Sequence, residues 1–276
     1  MARHGKVARK KRIVFAGERN MASPAPILKL YKSLTDDQRN AIVSMGHGSF
    51  IDIKCEQLHN PVIYWFAQCY DPARRSFVIS RRGVIPLTEE SIHDMIGLPC
   101  GQLAVKYFVD YDLEAEIAAK LFPGESSRPK VSEIGKKIAE YKEADETFRE
   151  LWMLFITSIV VAPTTDTRMS NKCYPMLEDV GQAQEMNMCK FIADELHKHL
   201  SNKKYTKGCL LYCMFRYFSA LDTDDMDLGF EHSQFAINCW TKDAIDVLGE
   251  MDAQEFDSTV FECMKGNGSF WGARWF

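Results

Sequence analysis

The residues with the most chemistry to offer are nine cysteines and seven histidines, so their spacing is read first. Cys55, Cys69, Cys100, Cys173, Cys189, Cys209, Cys213, Cys239 and Cys263 are scattered through mostly apolar contexts, with no CxxC pair and no compact disulfide framework. His93 stands in a helical pattern with neither a second ligand nor a nucleophile beside it in sequence, which favours a surface or half-buried helix histidine over a ligand. His197 and His199 are two residues apart, so on a helix they point about 200° apart and do not share a metal ion as i and i+4 residues would. Cys209 and Cys213 do share a face, but in a run as apolar as theirs they read as small core side chains. The expectation is no metal site, no catalytic residue and no cofactor.

Other patterns stop short of a site. Gly46 and Gly48 follow a helix rather than a strand and lack the GK[ST] that completes a phosphate loop, so they mark a helix-ending turn. Asp222-Thr223-Asp224-Asp225-Met226-Asp227 fails as a calcium loop, because Met226 takes a ligand position and Asp227 the place of the turn glycine. Arg216 is more informative. A guanidinium inside an apolar helix must meet a carboxylate, carbonyls or water, and a buried ion pair is the expected solution.

Charge is unevenly spread. Residues 1–20 hold seven basic side chains and one acid, leaving twenty-seven basic against thirty-seven acidic in the rest, within a formal net charge of −4. Arg9-Lys10-Lys11-Arg12 is the densest basic cluster, a pattern that serves either nuclear import or nucleic-acid contact. The acidic body argues against a groove tracking a phosphate backbone, so nucleic acid is a partner only through the arm. Without an apolar secretory run at the N-terminus, reduced thiols in the nucleus, or alternatively the cytoplasm, fit best.

The elements around these residues are mostly helices. Leu151 to Ala162 is almost unbroken apolar sequence ending at Pro163; too short to span a bilayer, it reads as a helix buried on all sides. Gly208 to Phe218 reads as a second such helix, packed on the first. Amphipathic stripes at Leu113, Ile117 and Leu121, at Ile134, Ile138 and Tyr141, and at Ile192, Leu196 and Leu200 supply the covering helices. Thr35 with Gln38 forms a capping box, Asn60-Pro61 opens a short buried helix, and Thr88 caps one that ends at Gly97. Ser76–Ser80 and Gly83–Ile85 make a small β-hairpin with Pro86 at its edge, and Ser23-Pro24-Ala25-Pro26 reads as a linker.

Three stretches, "LTDDQRNAIVSMGHGSFIDI", "WFAQCYDPARRSFVI" and "GVIPLTEESIHDMIGLPCG", resemble in this order the amino-terminal region of grass proteins encoded by or derived from transposable elements. "APTTDTRMSNKCYPMLEDV" and the helix that begins Lys207-Gly208-Cys209 are similar to later motifs of that family and of the related plant mobile domain. The match covers roughly residues 27–222. Longer members carry a SUMO-type cysteine protease domain, and His232, Asp243 or Asp246, Gln254 and Cys263 stand here in its order. The 54 residues after Asp222 are too few for that domain, and Cys263 follows Phe261-Glu262 instead of the Q…DCG context of its nucleophile. A pyridoxal site, suggested only by an old family name, has no discernible lysine or phosphate cradle.

These readings give a mainly α protein, a single multi-helix globular domain of eight to ten helices around two buried apolar helices, with a small β-hairpin. Residues 1–26 form a basic arm and linker, 27–222 the helical domain, and 223–276 an acidic connector, one amphipathic helix and an atypical tail. The resemblance implies a non-enzymatic, transposon-derived module that binds other proteins in the nucleus. The alternatives are nucleic-acid binding through the arm, or the amino-terminal part of a ubiquitin-like-specific protease. No membrane partner is expected.

Overall fold

The computed structural model of the chain describes residues 22–80, 82–223, 226, 228, 235–253, 261 and 264. The basic arm with Arg9, Lys10, Lys11 and Arg12, and His232, Gln254 and Cys263, lie outside the described residues.

The fold is mainly helical with one small sheet, as the apolar periodicities require. It opens with α1 (Ala25–Tyr31), which corrects the linker reading of 23–26. Pro24 occupies the N-cap and Pro26 falls within the first two helical positions, where a missing N–H costs nothing. In α2 (Asp36–Ser44) the capping box forms as expected: Thr35 Oγ1 accepts from the Gln38 amide, and Gln38 Oε1 accepts from Thr35 N–H. Gln38 also donates to the carbonyls of Tyr141 and Glu143, at 2.8 and 3.1 Å, so one side chain caps a helix and ties it to a distant turn. Gly46 ends this unit in left-handed backbone (φ 75°). Next, α3 (Asn60–Gln68) starts at the expected proline.

The hairpin gains a third strand. β1 (Tyr70–Asp71) pairs antiparallel with β2 (Ser76–Ile79), which pairs with β3 (Gly83–Pro86) in the register Phe77 opposite Ile85. Phe77 stacks on Phe66 of α3, centroids 4.0 Å apart, seating the sheet on the helices. Thr88 then caps α4 (Glu89–Ile96), which stops at Gly97 with φ 74°. The amphipathic α5 (Tyr111–Leu121) and α6 (Val131–Glu140) lead to α7 (Glu146–Ile156).

From Glu150 to Val161 every residue is buried. The α-helix yields to a π-turn at Thr157–Val161 before Pro163, a widening at the foot of the run that apolar pattern does not encode. After two 3₁₀ segments (Asn171–Cys173 and Pro175–Glu185) come α8 (Met188–Ser201) and α9 (Leu210–Phe218), the latter buried at every position. Here the expected pairing of the two apolar helices is revised. Helix α9 packs mainly on α3 and α4, whereas α7 packs mainly on α2, α6 and 175–185, so the two have different main neighbours within one continuous core.

The described residues beyond 222 add to that same core. The short α10 (Ala236–Cys239) and α11 (Lys242–Asp252) bury Ile237, Trp240, Ile245 and Leu248 in it, and α10 packs against α4 and α9. Eleven α-helices are thus described, above the expected eight to ten. No helix among the described residues is long and apolar enough to cross a membrane.

His47 shows the strictness of this core. Its Nδ1 accepts from the Trp152 indole N–H at 3.1 Å, its Nε2 is buried with no hydrogen-bond partner, and burial lowers its pKa from 6.5 to about 4. The unfolded chain therefore takes up this proton first as pH falls. The stability held by neutral His47 is intact above about pH 6.5 and declines by roughly 3 kcal/mol towards pH 4. In melting experiments between pH 7 and pH 4, His47→Gln should lose stability less steeply than the parent; parallel curves would rule out this role.

Candidate functional site

Helix α4 ends, and α8 begins, at the same place. Gly97 lets the chain leave α4 sharply, and the segment after it lies along 185–187: Gly101 N–H donates to Met186 O (3.3 Å), Leu103 N–H to Glu185 O (2.7 Å), and Asn187 N–H to Leu103 O (2.7 Å). Only glycine fits at 101, since a Cβ there would lie 2.0 Å from the Glu185 carbonyl oxygen. Asn187 then caps α8 through Lys190 N–H and donates from its amide to Glu89 of α4 at 2.9 Å.

This junction gathers His93 from the last turn of α4, Cys100 from the crossing segment and Cys189 from the first turn of α8. One side-chain donor atom from each lies within 4.8 Å of the other two. His93 is half-buried, Cys100 exposed and Cys189 buried. The expectation that His93 has no second ligand beside it is therefore corrected: Cys100 follows it in sequence across a helix stop, and Cys189 arrives from another helix. The Leu98 carbonyl accepts from Cys189 Sγ–H (3.2 Å) and lies 2.7 Å from His93 Nδ1, while the ring of Phe235 stands edge-on to the imidazole at 5.2 Å. Burial pushes both thiols up. The carboxylates of Glu89, Glu90 and Asp94 act on Cys100 in the same direction.

A second polar assembly, absent from the sequence reading, joins the hairpin to the end of α11. The side chains of Arg82 and Asp252 are buried, 7% and 0% exposed, and form an ion pair. Arg82 also donates to the Tyr217 hydroxyl (2.8 Å) and to the Met264 carbonyl; Tyr217 sits against both Asp252 and the Phe261 carbonyl, and Met264 N–H donates to Asp252 at 2.7 Å. Burial works against the Arg82 charge, but Asp252 and Tyr217 more than offset it, so Arg82 stays protonated. This pair spans 170 residues and pins the end of α11 to the hairpin.

The predicted residues fall into place around these assemblies. Arg216 is buried as expected, 9% exposed, with its charge felt by Asp94 and by the Tyr212 hydroxyl, whose pKa burial nevertheless raises to about 12. Cys209 and Cys213 are fully buried core thiols. His197 meets the Tyr70 hydroxyl at 2.7 Å and His199 meets Glu195 at 3.4 Å, so the two turn to different partners. Asp246 pairs with Lys242 on α11, and Asp243 lies in the first turn of the same helix.

A third feature faces solvent. After Leu103 the chain is anchored by Lys106, 3.0 Å from both Glu178 and Asp179, and by Tyr107, whose ring centroid is 5.0 Å from that of Phe191. Between these anchors and the Asp110 cap of α5, Phe108 (51%) and Val109 (38%) are exposed, and so is Tyr111 (75%), the first residue of α5.

A family model described as a domain of unknown function (DUF8566) matches residues 21–214. The chain belongs to this family. The matched region contains His93, Cys100, Cys189 and the exposed 108–111 loop, whereas Asp252 lies beyond it. No curated protein and no solved structure matches the chain.

Removing one member of the buried ion pair leaves the other charge uncompensated in the core. Asp252→Ala should cost about 3–5 kcal/mol of unfolding free energy in denaturant titrations. A loss below about 1 kcal/mol would show that solvent already reaches Arg82.

Proposed function

We propose that this chain is a non-enzymatic protein-interaction module that acts in the nucleus and presents the Phe108–Tyr111 loop to its partner. The observation that carries this reading is the pair of large aromatic side chains exposed where a loop meets a helix, Phe108 on a segment anchored at Lys106 and Tyr111 at the capped start of α5. Exposed aromatics on a fixed backbone suit interface hot spots, because they bury much apolar area for little lost conformational freedom. Asp110 and Asp112 flank them, and the chain outside residues 1–20 is acidic, so the fitting partner is a protein with an apolar socket rimmed by lysine or arginine. The resemblance to plant mobile domain and transposon-encoded proteins supports the same reading, and the basic cluster Arg9–Arg12 supports nuclear import.

A second reading, nucleic-acid binding through the arm, is favoured by the +6 charge of residues 1–20. Deleting residues 1–20 separates the two. Import predicts loss of nuclear accumulation, whereas contact predicts loss of DNA or RNA binding with accumulation unchanged.

The loop is tested with Phe108→Ala/Tyr111→Ala, exposed positions whose replacement should leave stability within about 0.5 kcal/mol per site. Partners recovered from nuclear extract by the parent chain should fall at least about tenfold with the double variant, the loss expected when hot-spot residues are truncated. Equal recovery by both would sink the assignment of this loop.

A further inference from the structure

We propose that His93, Cys100 and Cys189 form a binding site for a zinc-class divalent metal ion, which ties the end of α4 and the crossing segment to the start of α8.

The donor set is the first argument. Two thiolates and an imidazole are soft to borderline ligands that select zinc and its neighbours over magnesium or calcium, which take oxygen. Spacing is the second. Tetrahedral zinc, with Zn–S near 2.3 Å and Zn–N near 2.0 Å, sets its ligand atoms roughly 3.3–3.8 Å apart. The three atoms here already lie within 4.8 Å of one another, and small side-chain rotations close the difference. The third argument is the setting. His93 Nδ1 lies 2.7 Å from the Leu98 carbonyl, which restricts the ring's orientation, and Phe235 shields one side of the imidazole; the Cys189 Sγ–H bond to the same carbonyl is given up when the thiol ionises. Glu89, Glu90 and Asp94 supply negative potential around Cys100, which draws a cation in.

Charge and protons balance. A divalent ion replaces the two thiol protons, which leave to solvent, and binds two thiolates and a neutral imidazole, so the centre is formally uncharged in its half-buried place. Three protein ligands leave a fourth position for water. Because binding releases two protons, affinity rises with pH. The ion would fix the base of the segment that leads to residues 108–111, but its presence is read spectroscopically and does not depend on that loop having a partner.

The test uses the full chain, reduced, stripped with a chelator and titrated with Co²⁺. One equivalent per chain should produce thiolate-to-cobalt charge transfer and the visible bands of a tetrahedral ion, and Zn²⁺ should abolish both. Cys100→Ser, at an exposed position that should not disturb folding, is expected to weaken Co²⁺ binding by more than tenfold, and His93→Asn likewise. Cys69→Ser and Cys239→Ser should leave the bands unchanged. Absence of a thiolate–cobalt band in the parent chain, or a band of equal strength in Cys100→Ser, overturns the proposal. So does finding Cys100 and Cys189 joined in a disulfide in freshly isolated, metal-free protein, which would make them a redox pair instead.

Discussion

A run buried at every position from Glu150 to Val161 cannot turn any side to water, and neither can α9. Each must be enclosed, and that requirement sets the positions of the other elements. Helices α2 and α6 with the 175–185 segment close around α7; α3, α4 and α10 close around α9. At about 25 cal/mol per Å² of apolar surface removed from water, such helices provide the main driving force for the fold, and their neighbours are amphipathic because they must face both ways. Polar groups caught inside then have to be answered. Gln38 donates to two carbonyls, Trp152 to His47, and Arg82 meets Asp252.

Much of this was legible locally. The caps at Thr35 and Thr88, the proline at the start of α3, the glycine stop at 97 and the stripes of α5, α6 and α8 all act within one or two helical turns, where sequence spacing and spatial spacing agree. Local signals also misled. Pro24 and Pro26 look like linker residues until one sees that both sit where a helix tolerates them. Strand β1, two residues long, is too short to show alternation, and nothing in an apolar run tells where a π-turn interrupts it.

What stayed hidden was long-range. His93 and Cys100 stand close in sequence, yet helix periodicity puts no ligand next to His93, because the chain turns at Gly97 before Cys100 appears. Cys189 comes from an element whose placement depends on the whole core. Likewise Arg82 reads as part of a hairpin turn, and only the fold reveals that Asp252 lies against it. Arg216 was easier to single out, since it sits inside an apolar helix, and its burial followed. The exposed loop carried a weak signal: Tyr107, Phe108, Val109 and Tyr111 cluster without helical or strand periodicity.

The Arg82–Asp252 pair reaches well past residue 214, where the family match ends, and so do Ile237, Trp240, Ile245 and Leu248. Trp240 lies against Phe218, and the Phe261 ring meets Trp65 and His59. The family match therefore stops inside one packed core and not at its edge. A chain ending at residue 214 would lose the ring that Phe261 sets against Trp65 and His59, and with it the cover over that aromatic floor.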